Sequence, residues 1–319
     1  MSSTSQQVIP PSLPEGESLD FLTLTPQLAR KRRSQLRIIA DRFVRNRIAV
    51  VGMVVLAIIT LATIFAPFLT HASAVDPDPS IKLDLNNIFG APSLLHPLGT
   101  DELGRDELAR ILYGGRVSLL VGISSMAVAL LFGIGIGTFA GYYGGLLDNL
   151  LMRFTDVILA IPLYLLLFVL SASFSNGSVL NVVFLIAIFG WTYTARLVRG
   201  EFLALKEREF VLAARTLGAT NMRLMLRHIL PNAAGPIIVN ATLLVGANII
   251  LESVLSFFGF GIQIPLASWG SMVATARDYF LEDPILVWAP GLCILIVVLS
   301  FNLMGDGLRD ALDPYLTER

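Results

Sequence analysis

Apolar residues in this chain come in long unbroken blocks rather than in the alternations of soluble helices or strands. Residues 48–69 run 22 positions without a charge, 117–147 run 31, 157–195 run 39 and 284–305 run 22. About 20 apolar residues carry a helix across a hydrocarbon core of about 30 Å, so the first and last blocks each predict one span. The second predicts another, with Gly-Tyr-Tyr-Gly-Gly at 141–145 as its exit turn. The third is too long for one crossing, and SASFSNGS at 171–178 supplies the turn chemistry that divides it in two. A further block, 233–258, holds a single acid, Glu252. The pattern therefore predicts an all-α polytopic membrane protein with six transmembrane helices. Residues 259–283, punctuated by Gly, Pro and Trp269, are too irregular to span but apolar enough to re-enter the membrane.

The polar remainder sets the organisation. Residues 1–29 are rich in Ser, Pro and Gln and read as a disordered tail. Eight basic residues against one acid, Asp41, then crowd 30–47 ahead of the first span. Ala72-Ser73-Ala74 resembles a signal-peptidase site, but the preceding run exceeds the roughly 7–15 residues of a signal core, so the first span reads as uncleaved. The divisions are a basic tail 1–47, a first transmembrane helix 48–70, an external segment 71–115, a transmembrane core 116–311 and a tail 312–319.

Inside that core, 199–231 (RGEFLALKEREFVLAARTLGATNMRLMLRHILP) is the one extended charged interruption. Phe210, Ala213, Ala214 and Leu217 recur at helical spacing as an apolar stripe. Gly218 suits a helix C-terminus, and Thr220 or Asn221 suits the cap of a second helix. The second helix would carry Met222, Met225, Leu226 and Ile229 on one face and Arg223 and Arg227 on the other, until Pro231 stops it. Two short helices meeting at a glycine form a compact knob, with Ala213 and Ala214 leaving room for another surface. A hairpin lying on the membrane with Gly218 as an ordinary cap fits the same residues.

Composition and charge then narrow the class. The chain is 55% hydrophobic and 15% charged, with a mean hydropathy of +0.72, which excludes ordinary soluble composition. Eighteen Lys and Arg fall in segments on the N-terminal side of the predicted membrane and five on the other. That bias places both termini and 199–231 in the cytoplasm. The basic cluster ahead of the first span belongs to the same bias, and nucleic acid is not a partner. Cys293 is the single cysteine, so disulfide frameworks and thiolate clusters are excluded.

Candidate chemistry is sparse. The three lysines, Lys31, Lys82 and Lys206, do not follow glycines, so no phosphate-binding loop is present. His71, His96 and His228 are scattered without a zinc motif. Gly133, Gly137 and Gly141 place a small-residue strip along the second span for close helix packing, within the chain or between subunits, with Gly135 beside it. Glu252, about 28 Å along its helix from residue 233, lies near the outer interface with Asn248 one turn earlier. Arg277 is a candidate partner for Glu252, and Arg309 and Arg215 are candidates for Asp306 and Asp310. Both Asn248 and Glu252 are candidates for the translocation path or its gate. An ion-coupled secondary transporter or channel is the alternative class, but it calls for several mid-membrane acids or paired broken helices. A membrane-anchored enzyme lacks a catalytic constellation here.

LAARTLGATNMRLMLRHILPN resembles the cytoplasmic coupling-loop motif of binding-protein-dependent ABC importer permeases, in which Glu-Ala-Ala, three residues and Gly precede Ile-x-Leu-Pro or similar. The match falls on Ala213, Ala214, Gly218, Ile229, Leu230 and Pro231, and departs at Leu212, where the pattern often has Glu. HPLGTDELGRDELARILYGGRVSLLVG (96–122), GYYGGLLDNLLMRFTDVILAIP (141–162), ESVLSFFGFGIQIPLASWG (252–270) and GDGLRDALDP (305–314) narrow the resemblance to the C-type subunit of dipeptide, oligopeptide and nickel importers. The resemblance implies a type I importer fold in a bacterial or archaeal cell membrane. It implies a homologous second permease, two cytoplasmic ATPases and an extracytoplasmic binding protein as partners. ATP and Mg would bind those ATPases, with no cofactor on this chain. Phe210, Ala213, Ala214, Arg215, Gly218, Ile229, Leu230 and Pro231 become the expected ATPase-coupling residues.

Overall fold

The computed structural model describes residues 35–70, 88–173, 178–263 and 266–312. The signal-peptidase-like triplet, most of the N-terminal tail, residues 313–319 and much of the external segment lie outside the described residues. The chain forms two compact units, 1–38 and 39–319, and the described part of the first is only the opening of helix α1 (Gln35–Arg45).

Every regular element among the described residues is helical. The rest of α1 leads to Asn46, whose side chain accepts from the Ala49 amide and so caps α2 (Arg47–Ile64). Asn46 Nδ2 also donates to Asp310 at 3.3 Å, near the end of α12 (Ile285–Leu312). Helices α2 and α12 pack where side chains vanish: a Cβ on Gly307 would lie 2.1 Å from that of Ala49, and one on Gly52 only 3.0 Å from the Ser300 carbonyl. A single turn, α3 (Ala66–Leu69), follows α2.

The second long helix, α4 (Glu107–Tyr143), begins ten residues before the predicted span. Its start is set by Asp106, which accepts from the Ala109 amide at 2.9 Å, so charged residues that break the apolar block do not break the helix. Arg116, within α4, donates to the Thr63 and Ile64 carbonyls, meeting acceptors left open at the end of α2. α4 ends at Gly144, with φ +65, where a side chain would be disfavoured.

The 39-residue block does not form the two straight spans expected of it. Helices α5 (Gly145–Ala160) and α6 (Leu163–Ser173) meet at an 85° bend. Pro162 explains the break: it cannot donate an amide, and it drives Ile161 to an extended ψ of 131. The one predicted division, at 171–178, holds as well, since α6 ends at Ser173 and α7 (Val179–Leu205) follows, with 174–177 outside the described residues. Among the described residues five helices are thus long and apolar enough to cross a membrane, or six with the bent pair taken as one span.

Helix α10 (Ala234–Phe257) packs between α4 and α12. Ile249 and Val245 of α10 share a buried cluster with Leu119, Trp269, Val297 and Phe301. The irregular 259–283 stretch folds a short helix, α11 (Trp269–Ala276), opened by reciprocal Ser268–Ser271 capping. Trp269 is buried, with Nε1 donating to the Ile111 carbonyl at 3.0 Å. The α4 glycine strip serves this chain's own packing: Cβ atoms on Gly133, Gly137 and Gly141 would lie 2.5–2.6 Å from Thr194, Ala195 and Phe202 of α7, while Gly135 faces open space.

Candidate functional site

The 199–231 segment is built as two short helical pieces fixed to the ends of α4 and α7. Arg199, on α7, forms a paired contact with Asp148 of α5 at 2.5 and 2.7 Å. Lys206 Nζ reaches the Gly141 carbonyl at 3.3 Å. Helix α8 (Glu209–Thr216) then closes in a Schellman motif, the Ala219 amide donating to Ala214 O and the Gly218 amide to Arg215 O. That closure requires the left-handed φ of +82 at Gly218. Thr220 caps the next piece, α9 (Asn221–Arg223), and Tyr142 at the end of α4 donates to Asn221 at 2.8 Å.

From Leu224 to Ile229 the chain continues as a π-helix, closed by the Leu230 amide on Met225 O. This changes the faces predicted from a 3.6-residue period. Met225 and Ile229 are buried together with Leu224, whereas Met222 and Leu226 are exposed. The wider turn places neighbours of the expected stripe on opposite sides. The inner face, completed by Val211, packs on Val198, Phe202, Ala233 and Ile237.

The outer face mixes large apolar side chains with exposed Glu209, Arg215, Arg223 and Arg227. Leu217 is 88% exposed, and Phe210, Leu212, Met222 and Leu226 are each 42–54% exposed. Of the residues singled out from the sequence, Phe210, Ala213, Arg215, Gly218 and Pro231 lie on the surface, and Ala214 and Leu230 are half-buried. Ile229 is fully buried and anchors the piece from within. Leu212, where the motif departs, stands on the outer face.

Asn248 and Glu252 are not part of this surface. Both are buried on one face of α10, toward its other end. Glu252 accepts from Ser118 Oγ at 3.2 Å and Ser256 Oγ at 2.7 Å. The expected pairing with Arg277 does not form: Arg277 lies 3.4 Å from Asp278 and stacks over Phe257 at 5.3 Å. The serines satisfy Glu252 instead, and one of them, 134 positions away, has no sequence signature that marks it as the partner. Asn248 Nδ2 reaches the Gly122 carbonyl at 3.4 Å, while its Oδ1 is buried without a partner.

Just before α4 lies a charged cluster that the sequence reading passed over. Asp101 accepts from the Leu103 and Arg105 amides, from Arg105 Nε at 2.7 Å and from Arg110. Arg105 also reaches Glu102 at 2.9 Å, and His96 Nδ1 lies 3.0 Å from Asp106. The close spacing of Asp101, Arg105, Asp106 and Arg110 was the available signal.

Comparison with known proteins agrees with this architecture. A chain of the inward-facing MetNI methionine ABC transporter superposes with a TM-score of 0.52 at 16% identity, covering 64% of this chain and 96% of that one. The dipeptide transport system permease protein DppC of Alkalihalophilus pseudofirmus is 43% identical over 85% of this chain and 86% of its own length. The oligopeptide transport system permease protein OppC of Bacillus subtilis is 40% identical over 86% and 88%. Residues 34–92 match the N-terminal TM domain of oligopeptide transport permease C. Residues 133–318 match the binding-protein-dependent transport system inner membrane component, so the chain belongs to that family, and its fold is that of a type I ABC importer permease.

Proposed function

We propose that this chain is one half of the transmembrane pathway of an ATP-driven importer of short peptides. Its termini and 199–231 face the cytoplasm, where the excess of Lys and Arg falls. A second, homologous permease completes the pathway, and an extracytoplasmic binding protein delivers the solute. Two cytoplasmic ATPases bind ATP and Mg and supply the stroke.

The observation that carries this reading is the outward face of 210–226 on a locked support. Phe210, Leu212, Leu217, Met222 and Leu226 are exposed among Arg215, Arg223 and Arg227, and exposed large apolar side chains rimmed by polar ones mark an interaction site. The Schellman closure at Gly218, the Tyr142–Asn221 bond and the buried Leu224–Met225–Ile229 anchor fix the face to α4, α7 and α10. A partner pushing on it therefore moves the helices rather than bending a loop. Leu212 in place of an acid makes the contact at that position apolar rather than ionic.

The test is to replace Leu217 and Leu226 by Asp in the assembled transporter. The variant is expected to insert normally, to lose co-purification of the ATPase and to stop ATP-dependent peptide uptake. Gly218→Asp, which strains the left-handed turn, is expected to uncouple uptake from ATP hydrolysis. Normal ATPase association and uptake in both variants would remove the knob from the mechanism. Uptake by this chain alone in vesicles without ATP would favour the ion-coupled alternative.

A further inference from the structure

At the end of α10 remote from the 210–226 face, a cavity of 450 Å³ opens between the start of α4, the end of α10 and α11. Three arginines line it, Arg105, Arg110 and Arg277, and among the described residues no carboxylate does. Gln263, whose Nε2 gives one hydrogen to the Gly259 carbonyl at 2.9 Å, keeps a second for the cavity, and Phe257 adds an apolar wall. A cavity of this size fits the end of a small solute, with a few convergent polar groups fixing its orientation.

The acids stand behind the arginines rather than in the cavity. Asp101, 1% exposed, holds Arg105 Nε and one terminal nitrogen of Arg110, and Glu102 takes a second nitrogen of Arg105. These contacts hold Arg105 and Arg110 as residues only 4% and 6% exposed. They do not exhaust the donors. Arg110 Nε is buried with no partner, and a buried donor without an acceptor is costly and uncommon. Arg277, half exposed, stacks over Phe257 and has Asp278 3.4 Å from its Nε, an exposed pair that leaves its terminal nitrogens for another acceptor. A planar carboxylate is the group that guanidinium forks bind in paired, charge-assisted hydrogen bonds.

We propose that this cavity receives the C-terminal carboxylate of a short peptide as it enters the pathway, with Arg110 and Arg277 as the charged contacts and Gln263 orienting it. The identity of the solute rests on the peptide-import reading, whereas the selection of a carboxylate rests on the cavity itself. The neutral wall beyond the arginines accommodates varied side chains, so the site reads the chain end and not the sequence of the peptide.

The full chain in lipid nanodiscs, alone and within the assembled transporter, is titrated with radiolabelled dialanine, with dialanine amide and inorganic phosphate as competitors. The amide, which lacks the charged oxygen pair, is expected to compete about tenfold less well. Arg277→Gln, at an exposed position that the fold does not need, is expected to weaken dialanine about tenfold and leave amide binding unchanged. Arg110→Lys keeps the charge but loses the fork, and is expected to weaken dialanine in the same selective way. Equal competition by the amide, equal loss of both ligands in Arg277→Gln, or stronger competition by phosphate than by dialanine would each overturn the proposal. Loss of dialanine binding on assembly with the second permease would also overturn it, by giving the cavity to an acidic side chain of that partner. Selective dialanine binding by a transporter that does not import dialanine would leave the site standing and refute the peptide-import reading. Import without carboxylate-selective binding would do the reverse.

Discussion

Replacing Asp101 by Ala tests whether the charged cluster ahead of α4 is a structural clamp. Asp101 is 1% exposed and accepts two backbone amides, at 2.9 and 2.8 Å, besides contacts from Arg105 and Arg110. Removing it leaves buried Arg110 without its ion-pair partner and buried Arg105 with Glu102 alone. Breaking a buried pair by deleting one member costs about 3–5 kcal/mol. The two orphaned amides add to that, though not additively. A loss of this size lowers the folded-to-unfolded ratio by roughly a hundredfold or more. Asp101→Asn keeps an acceptor for the amides while losing the charge, so its loss is expected to be smaller. Adding Arg110→Met to Asp101→Ala is expected to recover part of the deficit, because one uncompensated charge disappears with it. Cys293 provides the assay: it is the chain's single cysteine and half-buried against the α4–α10–α12 cluster, so a thiol-reactive dye reports its exposure as detergent-solubilised protein is heated. A loss below about 1 kcal/mol in Asp101→Ala, the range of a surface pair, would refute the clamp.

Two other substitutions read the packing and the attachment of the 199–231 segment. Gly137→Leu forces a side chain into the Ala195 carbonyl and Val198, at 2.5 and 2.7 Å from the first added atom, and is expected to lower stability by about 1–3 kcal/mol or more. Gly135→Ala, which meets open space, is expected to be neutral or slightly stabilising in the same dye assay; equal damage from both would refute the α4–α7 contact. The Arg199–Asp148 pair is partly exposed, so Asp148→Ala is expected to cost under about 1 kcal/mol of stability. Its effect is expected in peptide-stimulated ATP hydrolysis, restored by the exchange Asp148→Arg with Arg199→Asp, and a variant with normal stimulation would remove the pair from the coupling path.

What the sequence made legible follows from the physics of each signal. Hydrocarbon thickness imposes a minimum length on apolar runs, so the spans were readable, and Gly218 and Thr220 announced their turns because few residues serve there. The start of α4 was hidden because helix and apolar block are different things: Asp106 caps a helix whose first turns are charged. The 85° bend at Ile161–Pro162 is written in the proline, but the more polar 171–178 carries the stronger turn signal within the same block. The buried and exposed faces of 222–229 were misassigned because a π-turn leaves no mark on periodicity. Long-range partners such as Ser118 for Glu252 exist only once α4 and α10 are packed. Arg277 was therefore the plausible choice by charge and the wrong one by position.

The π-turn at Leu224–Ile229 also acts as a phase adjuster between two rigid bodies. Relative to an α-helical turn it holds an extra residue, and each residue of an α-helix corresponds to about 100° of rotation and 1.5 Å of advance. The direction in which Leu217 and Leu226 point, relative to the buried face of α10, is therefore set by one residue of chain length. A single deletion at His228 would leave Leu217 and Leu226 in place and aim them elsewhere. Between this permease and a relative with an uninterrupted helix here, the same exposed side chains would stand at a different azimuth.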